Sequence, residues 1–430
     1  MTATLTALRD GSLAGARTLT LRCGLTEFPP EIFGLADTLE VLDLGGNALT
    51  ALPDDIGRLK ALRVLFCSGN HFDRLPPGLG DCPALSQLGF RATGLRDIPA
   101  ESLPASLRWL TLTDNRIEVL PATLGERPAL QKLMLSGNRL RGLPASLEGA
   151  DKLELLRLSA NRLDTLPAWL TAMPRLAWLA WAGNPLDRHA GGAAPLADWA
   201  TLRAGRLLGE GASGQVHEAV WTPPGHQARS VALKLFKGAM TSDGLPEREM
   251  AACLTAGEHP HLTGALAGLV GHPDGVQGLL MDLLPAQWRV LAGPPSAESC
   301  SRDVYDPSLG LDLDVALRIA RGIAAGATHL HDKGLTHGDL YAHNILWDGV
   351  TGQAVLSDFG AASFLPVNAD GGFKRLEVRA WGLLLGELLE RCDLEASPQD
   401  ALWTLQRACV QPDVAARPSM ATLLDALNTL

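Results

Sequence analysis

No run of apolar residues in this 430-residue chain approaches the ~18 that a bilayer-spanning helix needs, so a membrane span is not expected. The amino terminus, Met1 to Asp10, lacks a basic start followed by an apolar core, so a secretory signal is not expected. Basic residues are in deficit. Lys and Arg number 37 against 47 Asp and Glu, a formal charge of −10, and no basic stripe offers itself to nucleic acid or an anionic membrane surface. Cysteine is sparse and scattered: Cys23, Cys67, Cys82, Cys253, Cys300, Cys392 and Cys409 are odd in number and show no Cys-x-x-Cys spacing for zinc or redox work. Free thiols of a reducing compartment follow. These absences lead to the expectation of a cytoplasmic protein without a nucleic-acid partner.

What is present divides in two. A length of 430 residues exceeds what one hydrophobic core usually organises. The first half repeats itself. Leu39, Leu62, Leu85, Leu107, Leu130, Leu153 and Leu176 fall at steps of 23, 23, 22, 23, 23 and 23 residues, and a degenerate first copy starts near Ala16. That is a solenoid period. Each copy reads L-x-x-L-x-L-x-x-N-x-L-x-x-L-P, as in Leu130 to Pro144. The leucines at offsets 0, 3 and 5 face one way and stack into a core that no single copy could bury. Asn47, Asn70, Asn115, Asn138, Asn161 and Asn184 recur where the chain leaves the strand, so their amides can satisfy backbone groups in the turn. Thr93 and Gly24 break that ladder, and looser turns are expected there.

This pattern resembles the leucine-rich repeat family, which implies an α/β solenoid over residues 1–186, of about eight copies. Function in such a solenoid belongs to the outward residues of its short parallel strands. Val41, Asp43, Phe66, Trp109, Lys132, Met134, Arg157 and Trp178 stand at those offsets. Aromatics beside Arg and Lys have the composition of interface hot spots. The expected occupant of this face is a protein partner or the chain's own second domain, engaged through Trp109 and Trp178; the alternative is that these side chains merely cover the sheet. Residues 187–198, rich in Gly, Ala and Pro, read as a linker too short to separate two domains widely.

Beyond it, over residues 199–430, come four segments in a fixed order. Leu208-Gly209-Glu210-Gly211-Ala212-Ser213-Gly214-Gln215-Val216 is a glycine-rich stretch whose backbone N–H groups can lie close to phosphates without Cβ clashes. Val231-Ala232-Leu233-Lys234 is an alternating, strand-like run that ends on a cation. Thr336 to Asn344 carries Asp339 and Asn344, and Asp358-Phe359-Gly360 follows. Any one is weak alone; their joint order is specific. This half resembles the protein kinase family, which implies a two-lobed α+β fold, ATP and Mg²⁺ as cofactors, and phosphoryl transfer.

The resemblance carries roles residue by residue. Leu208, Gly209, Gly211 and Gly214 would cover the nucleotide; Val216 and Ala232 would lie above adenine and Leu346 below it. Met281 matches the gatekeeper and Leu283 a backbone contact of the hinge. Lys234 would anchor phosphates, paired with Glu249 or alternatively Glu247. Asp339 matches the catalytic base, and Asn344 and Asp358 match the metal ligands. Leu311 to His331 has the spacing of a long helix leading into the catalytic loop. Three departures stand out. Gly338 replaces the arginine that receives an activation-segment phosphate. Tyr341 replaces the lysine of serine/threonine kinases, and His343 sits where some tyrosine kinases place arginine. Only Ala361 to Leu376 separates Gly360 from Glu377, with no Ala-Pro-Glu sequence, although Arg417 matches the arginine that pairs with that glutamate. The expected function is a serine/threonine protein kinase capable of autophosphorylation; the alternatives are an ATP-binding scaffold with little transfer activity and a small-molecule kinase.

Overall fold

The computed structural model describes residues 3–187, 195–211, 213–238, 240–241, 243–366, 371–392 and 399–429. Contacts divide the chain into two compact units, Met1–Met173 and Pro174–Leu430.

The first unit opens with helix α1 (Ala3–Arg9), which buries Leu5 and Leu8. Seven three-residue strands follow: β1 (Thr18–Thr20), β2 (Val41–Asp43), β3 (Val64–Phe66), β4 (Gln87–Gly89), β5 (Trp109–Thr111), β6 (Lys132–Met134) and β7 (Leu155–Arg157). They form a parallel sheet in which equivalent positions pair, Val41 with Val64 and Lys132 with Leu155. Leu130, Leu133 and Leu135 are fully buried, as their offsets require. The asparagines tie neighbouring copies together. Asn138 donates through Nδ2 to the carbonyls of Leu112 (2.8 Å) and Leu135 (2.9 Å), and its Oδ1 accepts from Ile117 N at 3.1 Å. The turn at Thr93 is not loosened, which corrects the expectation. Thr93 Oγ1 donates to Phe90 O and to Asn115 Oδ1, and that oxygen also accepts from the amides of Thr93, Gly94 and Leu95. The next asparagine supplies what threonine lacks.

The second unit begins at Pro174, two residues before the last copy's first leucine, Leu176, and so ahead of the compositional boundary at residue 186. Its strand β8 (Trp178–Ala180) is wholly buried. Residues 188–194 of the expected linker lie outside the described residues. A sheet of small-lobe strands then forms from β9 (Leu196–Asp198), β10 (Leu202–Glu210), β11 (Gly214–Trp221), β12 (Arg229–Phe236), helix α2 (Pro246–Ala256), β13 (Ala265–Val270) and β14 (Gly278–Asp282). Its order is β10-β11-β12-β14-β13-β9, antiparallel except for β9, which runs parallel to β13. One face packs Ala219, Val231, Leu233, Leu266, Leu269 and Leu280 into a core closed by Ala197 and Trp199.

The large lobe comprises β15 (Arg289–Val290), helix α3 (Leu313–Asp332), β16 (Leu335–Thr336), β17 (Ile345–Trp347), β18 (Ala354–Leu356), β19 (Ser363–Phe364), and helices α4 (Gly372–Leu389), α5 (Gln399–Val410) and α6 (Met420–Asn428). Leu317, Ala320, Ala324, Ala327 and Leu330 form the buried stripe of α3. Trp381 of α4 donates to Ala320 O at 3.0 Å. Gly382 lets α4 and α5 approach closely, since a Cβ there would come within 2.4 Å of Cys409. Among the described residues no helix is long and apolar enough to cross a membrane.

Candidate active site

Strand register builds the first wall of the site. Lys234 pairs with Val216 and Leu279, and Ala232 with Glu218 and Met281, so Val216, Ala232, Lys234 and Met281 share the face opposite the core. Leu283 follows the end of β14 and is half-buried; Leu346 lies on β17, two residues after Asn344. Gly211 N donates to Gly214 O at 2.9 Å and closes the β10–β11 turn. Gly214 has no room for a side chain, because a Cβ would lie 2.3 Å from Leu235 O, whereas Gly209 and Gly211 border open space. Leu208 and Gly209 are exposed, and Ala212 lies outside the described residues.

Lys234 Nζ donates to Glu249 Oε1, which settles the choice left by the sequence: Glu249 is buried on α2 and Glu247 is exposed. Ser213 lies close enough to Glu249 to favour its charged form. Burial opposes the charge on Lys234, but Glu249 and Asp358 outweigh it and hold the ammonium above its usual range.

The loop from Thr336 to Asn344 is fixed from below by two groups that spacing alone did not single out as site residues. Glu377 of α4 accepts from Gly338 N through Oε1 at 2.8 Å and meets His331 Nε2 through Oε2 at 2.8 Å. Burial would raise its pKa, yet His331, His337 and the Gly338 amide hold it below the ordinary carboxylate value. His337 is fully buried, bonds Ser357 O at 3.1 Å and lies edge-on to Phe359; burial lowers its pKa. Asn344 Nδ2 donates to Asp339 O (2.9 Å) and to Asp339 Oδ2 (2.8 Å), which orients the carboxylate. Asp358 is exposed and sits at φ 63°, a left-handed conformation that aspartate tolerates better than most residues. Its Oδ1 accepts from Gly360 N at 3.1 Å. His343 is not a free cation near the loop: Nδ1 lies 2.7 Å from Oδ1 of the buried Asp303, and, against burial, this carboxylate raises its pKa.

The structure therefore brings Lys234, Glu249 and Asp358 together, and separately fixes Asp339 to Asn344. A cation pinned by a buried carboxylate, an oriented aspartate and a second acid in left-handed backbone match the constellation expected from sequence. The model of the protein tyrosine and serine/threonine kinase family matches residues 202–374, and leucine-rich repeat models match 38–59, 105–163 and 128–186. The chain joins leucine-rich repeats to a protein kinase domain.

Relatives of that domain span both hydroxyl classes. The tyrosine-protein kinase receptor TYRO3 of Gallus gallus is 29% identical over 212 residues, 44% of this chain and 24% of its own length. The epidermal growth factor receptor of Apis mellifera is 30% identical over 179 residues, covering 39% and 12%. The probable serine/threonine-protein kinase PBL26 of Arabidopsis thaliana is 44% identical over 75 residues, covering 17% and 18%. The matches span a quarter or less of each of these relatives.

The outward residues of the repeats are not the exposed face that their offsets suggested. Lys132, Met134, Arg157 and Trp178 are buried. Phe66 and Trp109 are half-buried: the Phe66 ring lies over Gly89, and Lys132 Nζ sits 4.2 Å from the centroid of Trp109.

Proposed function

We propose that this chain is a protein kinase that moves the γ-phosphoryl group of ATP to a serine or threonine hydroxyl, its own included, and that the repeats bind a partner or regulate the kinase domain. The observation that carries this is the joint geometry of Lys234–Glu249, Asp358 and Asp339–Asn344, because phosphoryl transfer asks a protein mainly for positioning and charge. The residues fit Mg·ATP. Gly209 and Gly211 leave open space beside the sheet, and a buried carboxylate fixes the Lys234 ammonium. Asp358 and the Oδ1 of Asn344 are hard oxygen ligands of the kind that suits Mg²⁺. When bound, Mg·ATP supplies the phosphoryl group and the charge that neutralises its oxygens. Lys234 would hold the phosphates, Val216, Ala232, Met281, Leu283 and Leu346 would hold adenine, and Asp358 and Asn344 the metal. Asp339, held by Asn344, would accept the proton of the attacking hydroxyl.

The serine/threonine assignment draws on the 44% stretch shared with the Arabidopsis protein. One observation favours a second reading, transfer to a small molecule: Tyr341, standing at the lysine position, is buried beneath Trp178 with its ring centroid 4.0 Å away. Incubating purified chain with γ-labelled Mg·ATP and hydrolysing the product in acid decides between them. Phosphoserine or phosphothreonine is expected. Label that appears only in an added small-molecule acceptor would favour the second reading, and no label anywhere would leave a nucleotide-binding scaffold.

A further inference from the structure

We propose that the last leucine-rich copy is a positioning element for phosphoryl transfer. It holds the catalytic loop, the segment after Gly360 and helix α2 in place of the ordering that an activation-segment phosphate and an Ala-Pro-Glu platform would supply. This rests on the kinase reading above.

Trp178 reaches the catalytic loop directly. Its ring stacks on Tyr341 at an interplanar angle of 8°, and Nε1 donates to Leu340 O at 2.9 Å, the carbonyl next to Asp339. Both rings are buried, so the stack is a fixed contact and not a surface one. Trp181 takes the segment after Gly360. Its backbone N donates to Ser363 Oγ at 2.9 Å, and its Nε1 donates to Phe364 O at 3.1 Å. Since Ser363 and Phe364 pair with Thr336 and Leu335, one tryptophan clamps the segment to the strand that feeds the loop.

Ser363 is the only hydroxyl between Gly360 and Glu377, and it is fully buried with its oxygen engaged. No kinase can reach it there. The two residues that lead into the copy take over the orphaned arginine. Arg417 donates to Pro174 O at 2.7 Å, and Arg379 donates to Arg175 O at 3.1 Å. At Gly338, a Cβ would lie 2.8 Å from Leu179 O and 2.7 Å from Ala361 O, and φ is 72°. The space that an arginine side chain would enter is filled by β8 itself, which gives the glycine a physical reason. Finally, the buried Asp187 pairs with Arg248 at 3.5 Å, one residue from Glu249. The catalytic loop, the segment after Gly360 and helix α2 each touch this one copy.

The test uses the full chain with Trp178→Ala and Trp178→Phe. Measured are kcat, KM for ATP, hydrogen exchange over residues 337–344 and phosphosites. Trp178→Ala is expected to lower kcat about 10–10²-fold with KM for ATP within about twofold, as a small misplacement of the loop would. Its loop should exchange faster, and Trp178→Phe, which keeps a stacked ring, should recover part of the rate. The mass spectrum of active wild type should show no phosphate on Ser363. Unchanged kcat and exchange in Trp178→Ala, a Phe variant no better than Ala, or phosphate on Ser363 would each overturn the proposal. If wild type transfers nothing, the kinase reading fails on its own, while exchange over 337–344 still decides whether Trp178 holds the loop.

Discussion

Lys234 and Glu249 are the most demanding residues of the site, because both charges are taken from water at once: their side chains are 13% and 3% exposed. Such a pair repays its desolvation only while both members are present. Glu249→Ala should therefore lower stability by about 3 kcal/mol, read as a shift in the urea midpoint, because it leaves an unpaired buried ammonium. Transfer should fall with it. An unchanged midpoint would mean that Lys234 is better solvated than its burial indicates. Sequence left Glu247 and Glu249 as rivals, since both precede His259 at a workable distance. Residues two apart on a helix point to opposite sides, so only the folded direction of α2 could choose. Asp303 was illegible for a related reason: it meets His343 from a loop 40 residues away, with no motif around it.

Elements tell a different story, because repeats are self-consistent. The 23-residue period places each strand correctly to within a residue or two, since leucines at offsets 0, 3 and 5 have one way to be buried together. The ladder asparagines were equally legible. What periodicity misjudged was the exception at Thr93, where Asn115 compensates from the neighbouring copy. Threonine still cannot reproduce every bond. By the pattern of Asn70, which bonds the carbonyls of Leu44 and Cys67 and the amide of Leu49, an asparagine at 93 would also reach Cys67 O and Phe72 N. Thr93→Asn should stabilise the repeats by about 1 kcal/mol, seen as a later denaturant midpoint with unchanged slope. A loss of stability would show that the Thr93–Asn115 bond is worth more than the restored ladder.

At the scale of the whole molecule, local spacing pointed to phosphate chemistry and left the contacts of the last copy unread. Phosphate chemistry confines its residues to short motifs, so Lys234, Asp339, Asn344 and Asp358 could be named as candidates from four segments and their order. The start of the second compact unit could not, although the repeat pattern does run to residue 186. Composition placed it after residue 186, whereas the second compact unit starts at Pro174, because Trp178, Trp181 and the carbonyls of Pro174 and Arg175 bind residues 162 to 243 positions away. In the repeat pattern Trp178 stands at an outward offset, where a contact to a partner or to the second domain was expected, and Trp181 merely fills an inward one. The central claim, that Asp339 performs phosphoryl transfer in a site assembled by Lys234, Asn344 and Asp358, is tested most directly by comparing wild type with Asp339→Asn for Mg·ATP affinity and for transfer of its γ-phosphate. Affinity within about threefold and transfer lower by about 10²–10⁴-fold are expected. Full turnover by Asp339→Asn would contradict it.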